Sequence, residues 1–176
     1  MEDLSVLLVL PEVVHGSEAL RVTVKKLVEA FPDRPLTLFW MSARDAWGDR
    51  FPAVLATLGS CAEQVTVQRF KQFGRGAHLF SQAVFLVGDV VRPGEELERP
   101  GGVNIYTVRH VLDFVRSGPQ LRLVVGAGLH PDVQRELRAS LPSVGGSDLD
   151  HVLHCQMPAI LTELTEPLKR LAARMS

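Results

Sequence analysis

The chain has 176 residues, 46% of them hydrophobic and 22% charged, with a formal net charge of −1 at pH 7. These values are typical of one globular domain with a real core, and they give no basic field for binding nucleic acid. No apolar run approaches the roughly 20 residues that span a bilayer, and the acidic start, Met1-Glu2-Asp3, is unlike a signal peptide. Two cysteines, Cys61 and Cys155, are too few for a disulfide framework. We therefore expect a cytoplasmic protein with no membrane or nucleic-acid partner.

The spacing of apolar residues predicts alternating strands and helices in the first half of the chain. This order favours a parallel sheet joined by right-handed crossovers. The predicted elements are a strand at 5–14, a helix at 17–31, a strand at 36–41, a short helix at 52–58 closed by Gly59, and a strand at 64–70.

The second half continues the pattern after a glycine-rich segment. Residues 83–87 fit either a strand or part of a helix that begins near His78. Pro142 and the glycines after it are expected to break the chain, which divides it into an α/β domain at 1–145 and a C-terminal extension at 146–176. The elements predicted here are a helix at 105–115, a strand at 121–125, a helix at 132–141 and a terminal helix at 160–175. We expect a three-layer α/β sandwich with a mainly parallel sheet of four or five strands.

Two short loops follow apolar strands and carry histidine and glycine. The first is His15-Gly16-Ser17, and the second is Gly126-Ala127-Gly128-Leu129-His130-Pro131. Ligands of open parallel sheets bind at the carboxyl ends of the strands, where loops and helix N-termini converge. Two imidazoles at that edge indicate metal or proton chemistry.

The order of these motifs resembles the class II chelatase family, which includes the sirohydrochlorin chelatases and the small cobaltochelatases. In that family a His-Gly-Ser loop follows the first strand, as His15-Gly16-Ser17 does here. An aromatic, glycine-containing stretch with a second histidine follows the third strand, which corresponds to 70–78 with His78. The last strand leads to a Gly-x-His-Pro-like stretch, here 126–131. The resemblance covers roughly residues 5–141.

The resemblance implies that His15 and His78 face each other across a cleft as catalytic residues and metal ligands. The reaction would insert Co, Ni or Fe as a divalent ion into a sirohydrochlorin-type tetrapyrrole, without a nucleotide cofactor. Neutral imidazole suits these metals, and near pH 7 it can also accept the protons that leave the pyrrole nitrogens.

A tetrapyrrole with many carboxylates needs cations and backbone donors. Arg75 between two glycines, and the helix that begins after Ser17, could supply them. The residues expected to bind substrate are Ser17, Arg75, Gly76, Gly128 and His130. His130, which precedes Pro131, also fits a helix start. Half-size family members often work as dimers, and the apolar face of 160–171 makes a homodimer the expected assembly.

Three alternatives remain open at the level of sequence. His110 in Arg109-His110-Val111 matches the second histidine motif nearly as well as His78. The acidic residue that the family carries near the end of its second strand has no counterpart here, where Asp45 is the nearest carboxylate. This favours a non-catalytic α/β binding or interaction module as the alternative function. A small-molecule transferase or nucleotide binder is a third hypothesis, although the Gly126-x-Gly128 loop lacks the third glycine of a dinucleotide fingerprint.

A second group of metal-ligating residue types lies near the C-terminus. His151, His154 and Cys155 would share one face of a helix and could bind a transition metal there. In a strand, His151 and Cys155 would face one side and His154 the other, which would disperse the group.

Overall fold

The computed structural model describes residues 3–9, 18–41, 48–69, 81–87, 108–146, 148–154 and 162–175. These residues form strands and helices, plus a 3₁₀ helix at Gly59–Gln64. The strands are β1 (Leu4–Val9), β2 (Leu36–Met41), β3 (Val65–Arg69), β4 (Ala83–Val87), β5 (Leu123–Ala127) and β6 (Asp150–His154). The helices are α1 (Glu18–Ala30), α2 (Arg50–Ala56), α3 (Val108–Ser117), α4 (Pro131–Gly145) and α5 (Thr165–Arg174).

The six strands form one parallel sheet in the order β3-β2-β1-β4-β5-β6. The three-layer α/β class is confirmed, whereas the expected count of four or five strands is wrong. The strand missed is β6, because five residues that include an aspartate and two histidines give little apolar periodicity. Residues 83–87 are a strand, which settles the helix-or-strand alternative for this segment.

Both faces of the sheet are apolar, as expected for parallel strands covered on two sides. Alternate residues of β1 belong to opposite cores: Leu4, Val6 and Leu8 pack in one cluster, and Leu7 and Val9 in the other. On the first face the covering helices are α1, α2 and α5, and on the second they are α3 and α4. The chain therefore winds in both directions from its central strands.

Helix α4 continues through Pro142, so the predicted helix end at residue 141 is wrong, and the helix ends at Gly145, within the segment expected to break the chain. Pro142 has no N–H to donate to the carbonyl of the preceding turn, which weakens a helix. A stripe of fully buried residues at Val133, Leu137 and Leu141 holds α4 on the sheet before that position, and the partly buried Val144 packs against the same core after it. Burial of this stripe outweighs one missing hydrogen bond.

Strand β6 forms one edge of the sheet, and α4 covers part of that edge. Asp150 N donates to Arg122 O, and His154 O accepts from Leu129 N, so these two residues bond toward β5. The carbonyl of Leu153, which precedes His154 by one residue, points away from β5 to the outer side of the strand. It accepts hydrogen bonds from Gln134 Nε2 at 3.0 Å and from Arg138 Nη2 at 2.9 Å.

Helix α5 packs on the first face, where it contacts α1 and β6. Its buried side chains include Leu164 just before the helix, Leu168 and Leu171, each no more than 2% exposed. They join the same core as Phe85 of β4 and Val152 of β6. The division proposed at residue 145 and the homodimer stay predictions. Among the described helices, none is long and apolar enough to cross a membrane.

Substitution of Phe85 by Ala should strongly destabilise the protein. Phe85 is 2% exposed and is the largest of the fully buried side chains at the centre of the sheet. We expect a loss of about 3–5 kcal/mol in the free energy of unfolding, measured by urea denaturation. Thr66→Ala, on the exposed side of β3, is the control and should change that value by less than about 0.5 kcal/mol. A small effect of Phe85→Ala would contradict this description of the core.

Candidate functional site

The order of the sheet reverses between β1 and β4, where Val9 pairs with Leu86. After β1 the chain continues to α1 on the first face, and after β4 it continues to α3 on the second. Successive connections that leave in opposite directions open a crevice at the carboxyl ends of such strands, which is where open α/β sheets bind ligands. The end of β1 is therefore the candidate site.

The residues predicted to form the site lie mostly outside the described residues. His15 and Ser17 fall between Val9 and Glu18, the described ends of β1 and α1. Arg75, Gly76 and His78 fall between Arg69 and Ser81. Their roles, and the facing of His15 and His78 across a cleft, stay predictions.

Ser81 and Gln82 lie at the amino ends of the strands, opposite the candidate site. Gln82 N donates to Ser5 O at 2.9 Å, and Arg122 N donates to Gln82 O at 2.9 Å, so this segment lies beside the amino ends of β1 and β5. The end of β1 and the start of α1 lie at the carboxyl ends of the strands. Glu18 is the described residue nearest to His15, and Ser81 is the one nearest to His78. These two residues thus lie at opposite ends of the strands.

His110 lies in the first turn of α3. Because β4 and β5 are parallel, the helix that connects them runs in the reverse direction and begins at the carboxyl edge. Val108 and Val111 of that turn pack in the second core. The choice between His78 and His110 as second histidine stays open, and α3 brings His110 to the same edge as the end of β1.

The loop after β5 is shaped by close packing at Gly126. A Cβ atom at this position would meet Leu129 Cδ1 far inside van der Waals contact and would lie 2.9 Å from Leu153 Cδ2. Leu129 and Leu153 are each 2% exposed. A side chain at position 126 would have to displace these two leucines, because the loop folds Leu129 back over the strand.

Gly128 and His130 also have local structural roles. Gly128 has a φ of 72°, in the left-handed region that favours glycine. His130 is the N-cap of α4, where its Nδ1 accepts a hydrogen bond from the amide of Asp132 at 3.2 Å. Pro131 opens the helix, which agrees with the helix-start interpretation of His130. Substrate binding by Gly128 and His130 stays a prediction.

Side chains of the protein itself already interact with the N-terminus of α4. His130 occupies one amide, and the carboxylate of Asp132 lies in the positively polarised first turn. Arg135 forms an ion pair with that carboxylate at 3.2 Å. An anionic substrate group would meet the negative charge of Asp132 here, so this helix start is a poorer carboxylate site than the loop sequence indicates.

His151 and His154 lie on a strand, and therefore on opposite faces of the sheet. His154 Nε2 is 2.7 Å from Glu163 Oε2, on the face covered by α5. Cys155 lies outside the described residues. Within the described ranges, no group of three or more His, Cys, Asp or Glu side chains could hold a metal ion. The strand interpretation, which disperses the group, is confirmed for the two histidines.

The partner of His154 could not be identified from the sequence. Glu163 follows it by nine residues, a separation that corresponds to no helix or strand period, and the contact forms because α5 folds back on β6.

Trp40 is a core residue at 4% exposure. Its ring packs 5.5 Å from that of Phe51, and the Arg69 guanidinium lies 5.2 Å from its centroid.

Comparison with protein-family models, with curated proteins and with solved structures gives no match for this chain. The inferences about its function therefore depend on the sequence motifs and on the geometry above.

Substitution of Gly126 by Ala should destabilise the protein through overpacking. The added methyl group would collide with Leu129 and Leu153, at a cost of about 1–3 kcal/mol in the free energy of unfolding. The same substitution in a Leu129→Ala background should cost less, because the truncated side chain leaves room. Equal costs in both backgrounds, measured by urea denaturation, would show that Leu129 is not the obstacle.

Substitution of His130 by Ala should lower stability by about 1 kcal/mol, because the Asp132 amide loses its acceptor. His130→Asn should retain most of that stability, since Asn is a good N-cap residue. Thermal unfolding of the two variants beside the wild type tests this. If Asn destabilises as much as Ala, the imidazole stabilises the loop in some way other than capping.

Proposed function

We propose that this chain is a chelatase-like protein that binds a divalent metal ion through His15 at the carboxyl end of β1 and acts on a sirohydrochlorin-type tetrapyrrole. The observation that supports the proposal is the position of Val9 and Glu18. They bound the segment that contains His15, and they lie at the point where the strand order reverses. Loops at this point of an open sheet hold ligands in many unrelated α/β proteins.

The proposed chemistry assigns two tasks to imidazole. Insertion of a divalent metal breaks two pyrrole N–H bonds, forms metal–nitrogen bonds and releases two protons, so a base must stand near the ring. His15 would hold Co²⁺, Ni²⁺ or Fe²⁺, and a second histidine, His78 or His110, would share metal binding or accept a proton. Arg75, Gly76 and Ser17 would bind the carboxylates of the substrate.

The second candidate function is a non-catalytic binding or interaction module that kept the fold without the reaction. Gly128 and His130, two of the residues expected to bind substrate, stabilise the loop and α4. The local roles of these two residues need no ligand, which favours this candidate.

Metal titration by calorimetry tests the site itself. We expect Co²⁺ and Ni²⁺ to bind the wild type in the micromolar range, and His15→Ala to weaken that binding at least about tenfold through loss of a ligand. His151→Ala is the matched control, since it removes an imidazole from the edge strand β6, and it should bind as the wild type does. Absent binding, or binding unaffected by His15→Ala, would contradict the metal site and favour the interaction module.

An absorbance assay then separates the two candidates. Sirohydrochlorin incubated with Co²⁺ and the wild-type protein should change its spectrum faster than without protein, and His15→Ala should abolish the acceleration. Metal binding that depends on His15 without any acceleration would assign the chain to the non-catalytic candidate.

A further inference from the structure

We propose that β6 and α5 form one cooperative unit, which opens from the edge of the sheet while the central strands stay folded. Such an opening is a conformational device independent of the proposed metal site. It would uncover part of the first core, which Phe85 and Val152 share with the buried leucines of α5.

Polar contacts join α5 to β6 at both ends of the strand. At the carboxyl end, His154 Nε2 is 2.7 Å from Glu163 Oε2. At the amino end, Arg170 Nε donates to Asp150 Oδ2 at 3.1 Å, and Arg174 lies 3.8 Å from the same oxygen. Arg174 also donates to the carbonyl of Asp148. Glu163, two residues before α5, and Arg170 and Arg174 of the helix thus attach this part of the chain to both ends of the segment 148–154.

The lengths of the two elements match. The four steps from Asp150 to His154 span about 13 Å in a strand. The seven steps from Glu163 to Arg170 span about 11 Å in a helix, and the eleven to Arg174 about 17 Å. An antiparallel helix of this length can engage both ends of β6 together, so the loss of either element removes partners from the other.

The unit lies at the end of the strand order. Among the described strands, β6 pairs with β5 alone, and α5 contacts α1 beside β6. Gln134 and Arg138 of α4 hold the outer carbonyl of Leu153, so opening must break those two hydrogen bonds as well. Local openings of proteins follow such contiguous units, with free energies below that of global unfolding.

Hydrogen exchange by mass spectrometry on the full chain tests the proposal, with Leu168→Ala as the perturbation. Leu168 is 2% exposed and lies on the buried side of α5. If the unit is cooperative, amides of 148–154 and 165–174 should share one opening free energy in the wild type, below that of β1 and β4, and Leu168→Ala should accelerate exchange in both segments by the same factor, about tenfold or more. Lys169→Ala, at an exposed position where Lys169 pairs with Glu166, is the control and should change neither region.

Two results would overturn the proposal. Acceleration confined to 165–174 would show that α5 opens alone and that β6 belongs to the body of the sheet. One opening free energy shared by β1, β4, β6 and α5 in the wild type would show that the domain unfolds only as a whole.

Discussion

The structure depends on the need to cover a sheet whose central strands are apolar on both sides. Leu7 and Leu8 of β1 are neighbours in sequence and are both fully buried, yet they belong to different cores. Their strand can exist only between two layers of helices, because a parallel strand with one exposed face would leave half of these side chains in water. The crossing of the chain from one face to the other at β1 and β4 follows from this requirement.

This winding also locates the candidate site. Helices on opposite faces begin after β1 and after β4, so the ends of these strands are the one place in the order where successive connections diverge. The motif His15-Gly16-Ser17 belongs, by sequence, to the first of these connections. Its position gives the metal-binding proposal a structural reason that a three-residue motif does not supply alone.

Most of the fold could be predicted from the sequence because the spacing of apolar residues in long runs shows whether a segment is a helix or a strand. Leu36–Met41 was predicted with the boundaries that the structure has, and α1 differs from its predicted range by one residue at each end. Strand β6 could not be predicted in this way. Asp150 and His154 are polar because they face α5, and their partners Arg170 and Glu163 become neighbours only when the chain folds back.

The site could be predicted only in part, for a related physical reason. His130 carries both signals at once: it follows a strand, as a ligand would, and it precedes Pro131, as a capping residue does. The structure shows the capping contact. Sequence proximity to a strand end cannot distinguish a side chain that binds a ligand from one that binds its own backbone, since both need a polar group at the same place.

The hydrogen bonds to the Leu153 carbonyl have a consequence for association. A strand from another molecule that added to β6 would need this outward-pointing acceptor, which Gln134 and Arg138 already occupy. Donation from two side chains of α4 therefore opposes extension of the sheet at β6, much as charged or covered edges protect other proteins from edge-to-edge aggregation. Removing both side chains would leave the fold its core and make β6 a template for strand addition.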